Sequence, residues 1–231
     1  MSLLECRSLE KRYGKVSALE KVDLSLNEGQ IVGLLGPNGS GKTTLIKLAN
    51  GLLKPSSGEI LIDGCKPSPE TKAKIAYLPD REFLPGYMNV KDLFKFYSDF
   101  YEDFNNEKAH RMLESLSISL DQPLRKMSKG TKEKVQLILV MSRDARIYFL
   151  DEPIAGVDPA ARDFILKTII SNYCKDSLVI ISTHLIADIE SILDEVVFIK
   201  NGSIVLHKGA DEIREETSKN VDEVFREVFK C

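Results

Sequence analysis

Residues Gly36-Pro37-Asn38-Gly39-Ser40-Gly41-Lys42-Thr43 carry the spacing G-x-x-x-x-G-K-[ST]. That spacing suits the holding of a chain of phosphates. Glycines at 39 and 41 let the backbone turn tightly, so that successive N–H groups, those of Asn38 and Ser40 among them, converge on phosphate oxygens. A helix entered from Gly36 and Gly41 through Thr43 and Thr44 points its positive end at the same anion. Lys42 can reach the β- and γ-phosphates, and the Thr43 hydroxyl can hold Mg²⁺. A glycine-rich turn can match such a pattern by chance, but here the apolar run Ile31 to Leu35 precedes it and a helical segment follows. The sequence has no Asn-Lys-x-Asp guanine motif, so ATP is the expected nucleotide.

A second group with chemical potential is Asp151-Glu152-Pro153, directly after the apolar run Ile147 to Leu150. A buried strand ending in carboxylates puts charge at the sheet's carboxyl edge, where open α/β sheets bind ligands. Asp151 suits the metal role, and Glu152 can orient or deprotonate an attacking water. By themselves these residues also fit a solvated strand terminus. The phosphate loop in the same chain is what favours catalysis, here ATP hydrolysis.

The elements that must position these groups are legible as patterns. Val22 to Leu26 alternates apolar and polar, Asn27-Glu28-Gly29 is a turn, and Ile31 to Leu35 has the length of a fully buried strand. Thr44 to Asn50 reads as a helix closed by Gly51. From about residue 87 to about residue 145 the character changes to a helical lobe: Leu93, Phe94, Tyr97, Phe100, Tyr101 and Phe104 recur at helical spacing, with further helices over Glu107 to Leu116 and Lys132 to Met141. Short buried strands return at Ile147 to Leu150 and Leu178 to Ser182. Phe198 to Val205 reads as a hairpin turning at Asn201-Gly202, and residues from about 211 to 231 read as one amphipathic helix whose apolar face carries Val221, Val224, Phe225, Val228 and Phe229. The expected fold class is α/β. It comprises a P-loop NTPase core with a mostly parallel sheet, an antiparallel β portion near the N-terminus and an inserted helical lobe, all in a single domain over 1–231.

Composition narrows the partners. Of 231 residues, 43% are apolar and 29% charged, as in ordinary globular domains, and the net charge of −3 argues against electrostatically driven binding of nucleic acid. No stretch approaches the roughly 20 apolar residues of a membrane helix, and Met1 to Glu10 does not read as a signal peptide. Cys6, Cys65, Cys174 and Cys231 form no paired or zinc-like spacing, so free thiols in a reducing cytosol are expected.

Further short segments stand in order around the phosphate loop: Arg12-Tyr13-Gly14, Met127-Ser128-Lys129-Gly130-Thr131, Asp151-Glu152, Ala155-Gly156-Val157-Asp158, and His184 just after a strand. Together they resemble, over essentially the whole chain, the ATP-binding subunit of ABC transporters. The resemblance implies that Tyr13 stacks on adenine, that Ser128, Lys129, Gly130 and Thr131 form the signature meeting the γ-phosphate held by a partner subunit, that Asp158 serves the subunit contact, and that His184 contacts the γ-phosphate or holds the attacking water. It also implies a head-to-tail pair, either two copies or this chain with a different ATPase subunit. The expected location is cytoplasmic, on the inner face of the cell membrane through a membrane-spanning transporter subunit. Each segment has a plainer reading as well: Ser128 and Asp158 as ordinary helix caps, His184 and Tyr13 as structural residues at strand ends.

Two departures from the family pattern stand out. The family's glutamine after the next strand is replaced by Asp80, following Ile75-Ala76-Tyr77-Leu78-Pro79, and no glutamine lies between Gln30 and Gln122. Asp80 can bind Mg²⁺ more strongly, or repel the γ-phosphate and slow turnover. In the signature, Lys129 replaces a glycine and Thr131 a glutamine, a form that looks more like export-type ATPases than importers. After Asp80, the apolar run Phe83-Leu84-Pro85-Gly86-Tyr87-Met88 either receives a helix of the membrane partner or packs on the chain's own lobe. Three functions follow: the energy-supplying subunit of a transporter, a soluble ATPase of the same fold, or a weakly hydrolysing regulatory subunit.

Overall fold

The computed structural model of the protein describes residues 2–157 and 159–229. Its centre is a six-stranded sheet in the order β5-β6-β7-β3-β8-β9, built from β3 (Gln30–Leu35), β5 (Ile75–Leu78), β6 (Ile147–Asp151), β7 (Leu178–Thr183), β8 (Glu195–Lys200) and β9 (Ser203–Gly209). All neighbours are parallel except β8 and β9, which form the antiparallel hairpin turning at Asn201-Gly202. A separate antiparallel sheet, β2-β1-β4, contains β1 (Ser2–Tyr13), β2 (Val16–Asn27) and β4 (Ser57–Ile62).

The continuous apolar strands have a simple cause. The parallel sheet is covered on both faces, so residues of either parity are buried. Leu35, Tyr148, Leu150, Ile181 and Phe198 face a core that includes the helical lobe and the C-terminal helices. Val32, Leu34, Phe149, Ile180 and Val197 face a second core formed with α1 (Lys42–Ala49) and the antiparallel sheet.

Between β5 and β6 lie α3 (Val90–Phe100), α4 (Asn106–Ser115) and α5 (Lys129–Met141); α2 (Pro69–Ala73) precedes β5. Helix α3 stops at Phe100, and Phe104 lies beyond it, yet the Phe104 ring returns edge-on to Phe94 with centroids 5.9 Å apart. Helix α5 begins three residues before the expected Lys132, because the Ser128 side chain caps it by accepting a hydrogen bond from the Thr131 N–H. Strand β2 starts well before Val22: its first residues are exposed and lack apolar alternation, but pair with the end of β1.

The C-terminal segment differs from the single helix expected over about 211–231. It forms α8 (Ala210–Thr217) and α9 (Val221–Phe229), which follow α6 (Pro159–Asn172) and the short α7 (Ile186–Ile189). Ser218 takes a left-handed conformation with φ of 55° and ends α8, and Asn220 caps α9 by accepting from the Glu223 N–H at 2.8 Å.

Candidate nucleotide-binding and catalytic site

The strand register assembles the site. β3 is flanked by β7, and β7 by β6, with Leu35 opposite Thr183 and Ser182 opposite Asp151. The loop after β3, the carboxylates ending β6 and the histidine after β7 therefore emerge side by side at one sheet edge. β5 adds Asp80 from the far side of β6.

The loop itself is shaped by close approach. Gly41 has φ of +116°, and a Cβ there would sit 2.6 Å from the Ala18 carbonyl oxygen. Gly39 has φ of +81° with open space around its Cβ position, so glycine is needed there for conformation alone. Asn38, Gly39, Ser40, Gly41, Lys42, Thr43 and Thr44 line one cleft of about 200 Å³ with Ala18, Asp80 and Glu152. Ala18 was not legible from its residue type. Gly36 sits behind the cleft, its carbonyl accepting from the Lys42 ammonium at 2.7 Å.

Lys42 is 5% exposed and stands 3.5 Å from the Glu152 carboxylate. Burial lowers its pKa from the usual lysine value, with Glu152 and Asp151 pulling the other way. Glu152 accepts or shares a hydrogen bond with His184 Nδ1 at 3.0 Å. Its backbone is left-handed, with φ of 51°, and its N–H donates to the Ser182 carbonyl at 2.9 Å. Non-glycine residues held there cluster at functional sites.

Asp151 is 1% exposed. Its Oδ1 accepts from the Ser182 hydroxyl at 2.5 Å and the Thr43 hydroxyl at 3.2 Å, while the buried Oδ2 has no hydrogen-bond partner. Burial raises its pKa; the two hydroxyls oppose this, and the charges of Asp80 and Glu152 reinforce it. A buried carboxylate oxygen without a donor, beside a threonine hydroxyl, suits a cation. Ser182, the partner that orients Asp151, carried no signal in the sequence beyond its place at a strand end.

Of the remaining expected residues, Asp80 and Lys129 join the clefts at the site, and the others that are described do not. Asp80 is exposed and borders both the loop cleft and a second cleft of about 110 Å³, which Lys129, Asp151 and Glu152 also line. Among the described residues no three His, Cys, Asp or Glu side chains form a metal cage. Tyr13, 48% exposed with the Lys11 ammonium over its ring at 5.3 Å, does not line the loop cleft; the pairings Arg12 with Ser17 and Lys11 with Leu19 place the end of β1 beside Ala18. Ser128, Gly130 and Thr131 stand at the start of α5 and do not line the loop cleft. Asp158 lies outside the described residues.

A family model described as ABC transporter matches residues 19–155. The chain belongs to the ABC transporter family, as an ATP-binding protein. ABC transporter ATP-binding protein YtrB of Bacillus subtilis (strain 168) is 30% identical over 220 residues, covering 94% of this chain and 75% of the relative. SkfA peptide export ATP-binding protein SkfE of the same organism is 31% identical over 214 residues, 89% of this chain and 88% of its own. A solved ATP-binding subunit of an ABC transporter superposes with a TM-score of 0.87 at 29% identity, over 99% of this chain and 100% of that one. The protein is thus an ATP-binding subunit that powers transport through a separate membrane subunit. A soluble ATPase uncoupled from transport is not favoured. No described helix is long and apolar enough to cross a membrane.

Proposed function

We propose that this subunit hydrolyses ATP, with Glu152 as general base and His184 as its hydrogen-bonded partner. The observation that carries this reading is the chain of contacts Lys42–Glu152–His184, at 3.5 Å and 3.0 Å, of which Lys42 and Glu152 line the loop cleft. Bound phosphates would draw the Lys42 ammonium off the Gly36 and Pro37 carbonyls and release Glu152 to take a proton from water. His184 holds the Glu152 carboxylate and can contact the γ-phosphate. Thr43 and Asp151 would hold Mg²⁺, with Asp80 facing it, and the ion would offset phosphate charge. Tyr13, exposed at the end of β1, would stack on adenine.

The site is half of a composite. Gly130 has open space where a Cβ would be, so the chain's own packing does not call for a glycine there. That leaves room at the start of α5 for a phosphate held by a second ATPase chain, with Ser128, Lys129 and Thr131 around it and Asp158 at the contact. The second chain is another copy or a different subunit. The Ser128-Lys129-Gly130 form and the similarity to a peptide export ATP-binding protein support export as the direction.

The apolar run after Asp80 divides between its two expected roles. Leu84 enters the core and Met88 packs on it, while Phe83 and Tyr87 stay exposed. Phe83, Leu52, Tyr97 and Tyr101 border an open cleft of about 320 Å³, which suits a helix of the membrane partner. The chain would then sit on the inner face of the membrane.

The deciding experiment is Glu152→Gln. It should cut steady-state hydrolysis by at least about a hundredfold while ATP still drives dimerisation in sedimentation. Hydrolysis at the wild-type rate would overturn the base assignment.

A further inference from the structure

The backbone after β5 carries Asp80 in irregular structure, and two contacts from α5 hold it. The side-chain carbonyl of Gln136 accepts a hydrogen bond from the Phe83 N–H at 2.8 Å, and the Lys132 ammonium pairs with Glu82 at 2.7 Å. The second contact is partly exposed, its Lys132 side chain at 20% and its Glu82 side chain at 43%, and solvent weakens it. The first is different. Gln136 is 5% exposed, on a turn of α5 otherwise occupied by Val135, Leu137 and Ile138. A buried amide costs free energy unless a partner satisfies it, so its bond to Phe83 is held more firmly than a surface contact. Gln136 also lines the cleft that Asp80, Asp151 and Glu152 border.

We infer that Gln136 is a positioning residue for Asp80: by fixing the Phe83 amide to α5, it sets how far the Asp80 carboxylate reaches toward the catalytic cleft. The inference rests on the reading of Asp80 as a group facing the metal or the attacking water. It gives Gln136 an effect on turnover without contact with nucleotide, because the loop cleft is lined by other residues.

Gln136→Met keeps the side chain's length and removes the acceptor. Amide hydrogen exchange in a peptide over residues 80–86 should quicken, and kcat should fall about tenfold, while the Kd for ATP in the absence of Mg²⁺ shifts less than about twofold. Gln136→Glu, which retains an acceptor, should keep the slow exchange. Faster exchange with unchanged kcat, or exchange that does not respond to Gln136→Met, would overturn the inference. Wild-type protein without turnover would count against the hydrolytic reading instead. The assignment would then be judged on the Mg²⁺-dependent tightening of ATP binding, which supports it if Gln136→Met weakens that tightening and overturns it if the tightening is unchanged.

Discussion

Two helices of this molecule open at glycine-bearing segments, and they treat their first amides differently. Helix α1 is capped by Gly41, which supplies no side-chain acceptor. Its leading N–H groups are left for an anion, and the lysine one position later folds back onto carbonyls of its own loop. Helix α5 opens at Ser128, whose hydroxyl already accepts from the Thr131 N–H at 3.2 Å and bonds the Thr131 hydroxyl at 2.8 Å. The same backbone dipole is present at both starts. What differs is whether the chain has answered it itself. A start without its own acceptor depends on ligand for completion, whereas a self-capped start is stable alone and yields its cap only to a ligand from outside.

The largest expected effect breaks the ligand-dependent start. Lys42→Ala should weaken ATP binding by at least about a hundredfold, about 2.8 kcal/mol, in equilibrium titration with the isolated subunit. Binding within a few fold of wild type would mean that the loop amides alone hold the phosphates. An intermediate effect separates the two helices. Ser128→Ala should cost the folded chain about 1 kcal/mol, read as a melting temperature lower by roughly 2–4 °C, while ATP binding to the isolated subunit is unchanged. A loss of binding in the monomer would show that the start of α5 serves nucleotide within its own chain.

The smallest effect is one of pH. Burial depresses the Lys42 pKa in the folded chain, so between that lowered value and the usual 10.5 the unfolded chain binds more protons. Stability contributed by this group therefore rises with pH through that window. The difference in melting temperature between wild type and Lys42→Met should move in favour of wild type as the pH rises toward 10.5. Saturating ATP should flatten the trend, since phosphate restores a counter-charge to the ammonium. A difference that is flat without nucleotide would place the Lys42 charge in solvent.

Much of the site was legible because its chemistry depends on local spacing. The phosphate loop, Asp151, Glu152 and the Asn201-Gly202 turn each need particular residue types within a few positions, and the pattern survives without knowledge of the rest of the chain. An antiparallel portion near the N-terminus was expected, but the positions of β1, β4 and the early part of β2 were not legible: β1 and β4 pair across distances of up to about 60 residues, as Leu4 with Ile62, and the start of β2 is exposed. The single C-terminal helix was misread for a related reason. Apolar periodicity is similar on either side of the break, while the break itself is set by Ser218 in a left-handed conformation, which serine seldom announces.

Sequence alone singled out the candidate groups: a phosphate cradle and a carboxylate pair, each at the end of an apolar run, and a histidine through its place in the order of motifs. Only the tertiary structure decided that these groups meet. The parallel order β6-β7-β3 puts three strand ends at one edge, and the register pairs Ser182 with Asp151, which neither segment encodes by itself. Tertiary packing likewise brought Ala18 against Gly41 and Gln136 against Phe83. The reason is physical. A motif's residue types follow from the atoms it must bind, whereas the partner that orients a side chain follows from which surfaces pack together, and packing is a property of the whole chain.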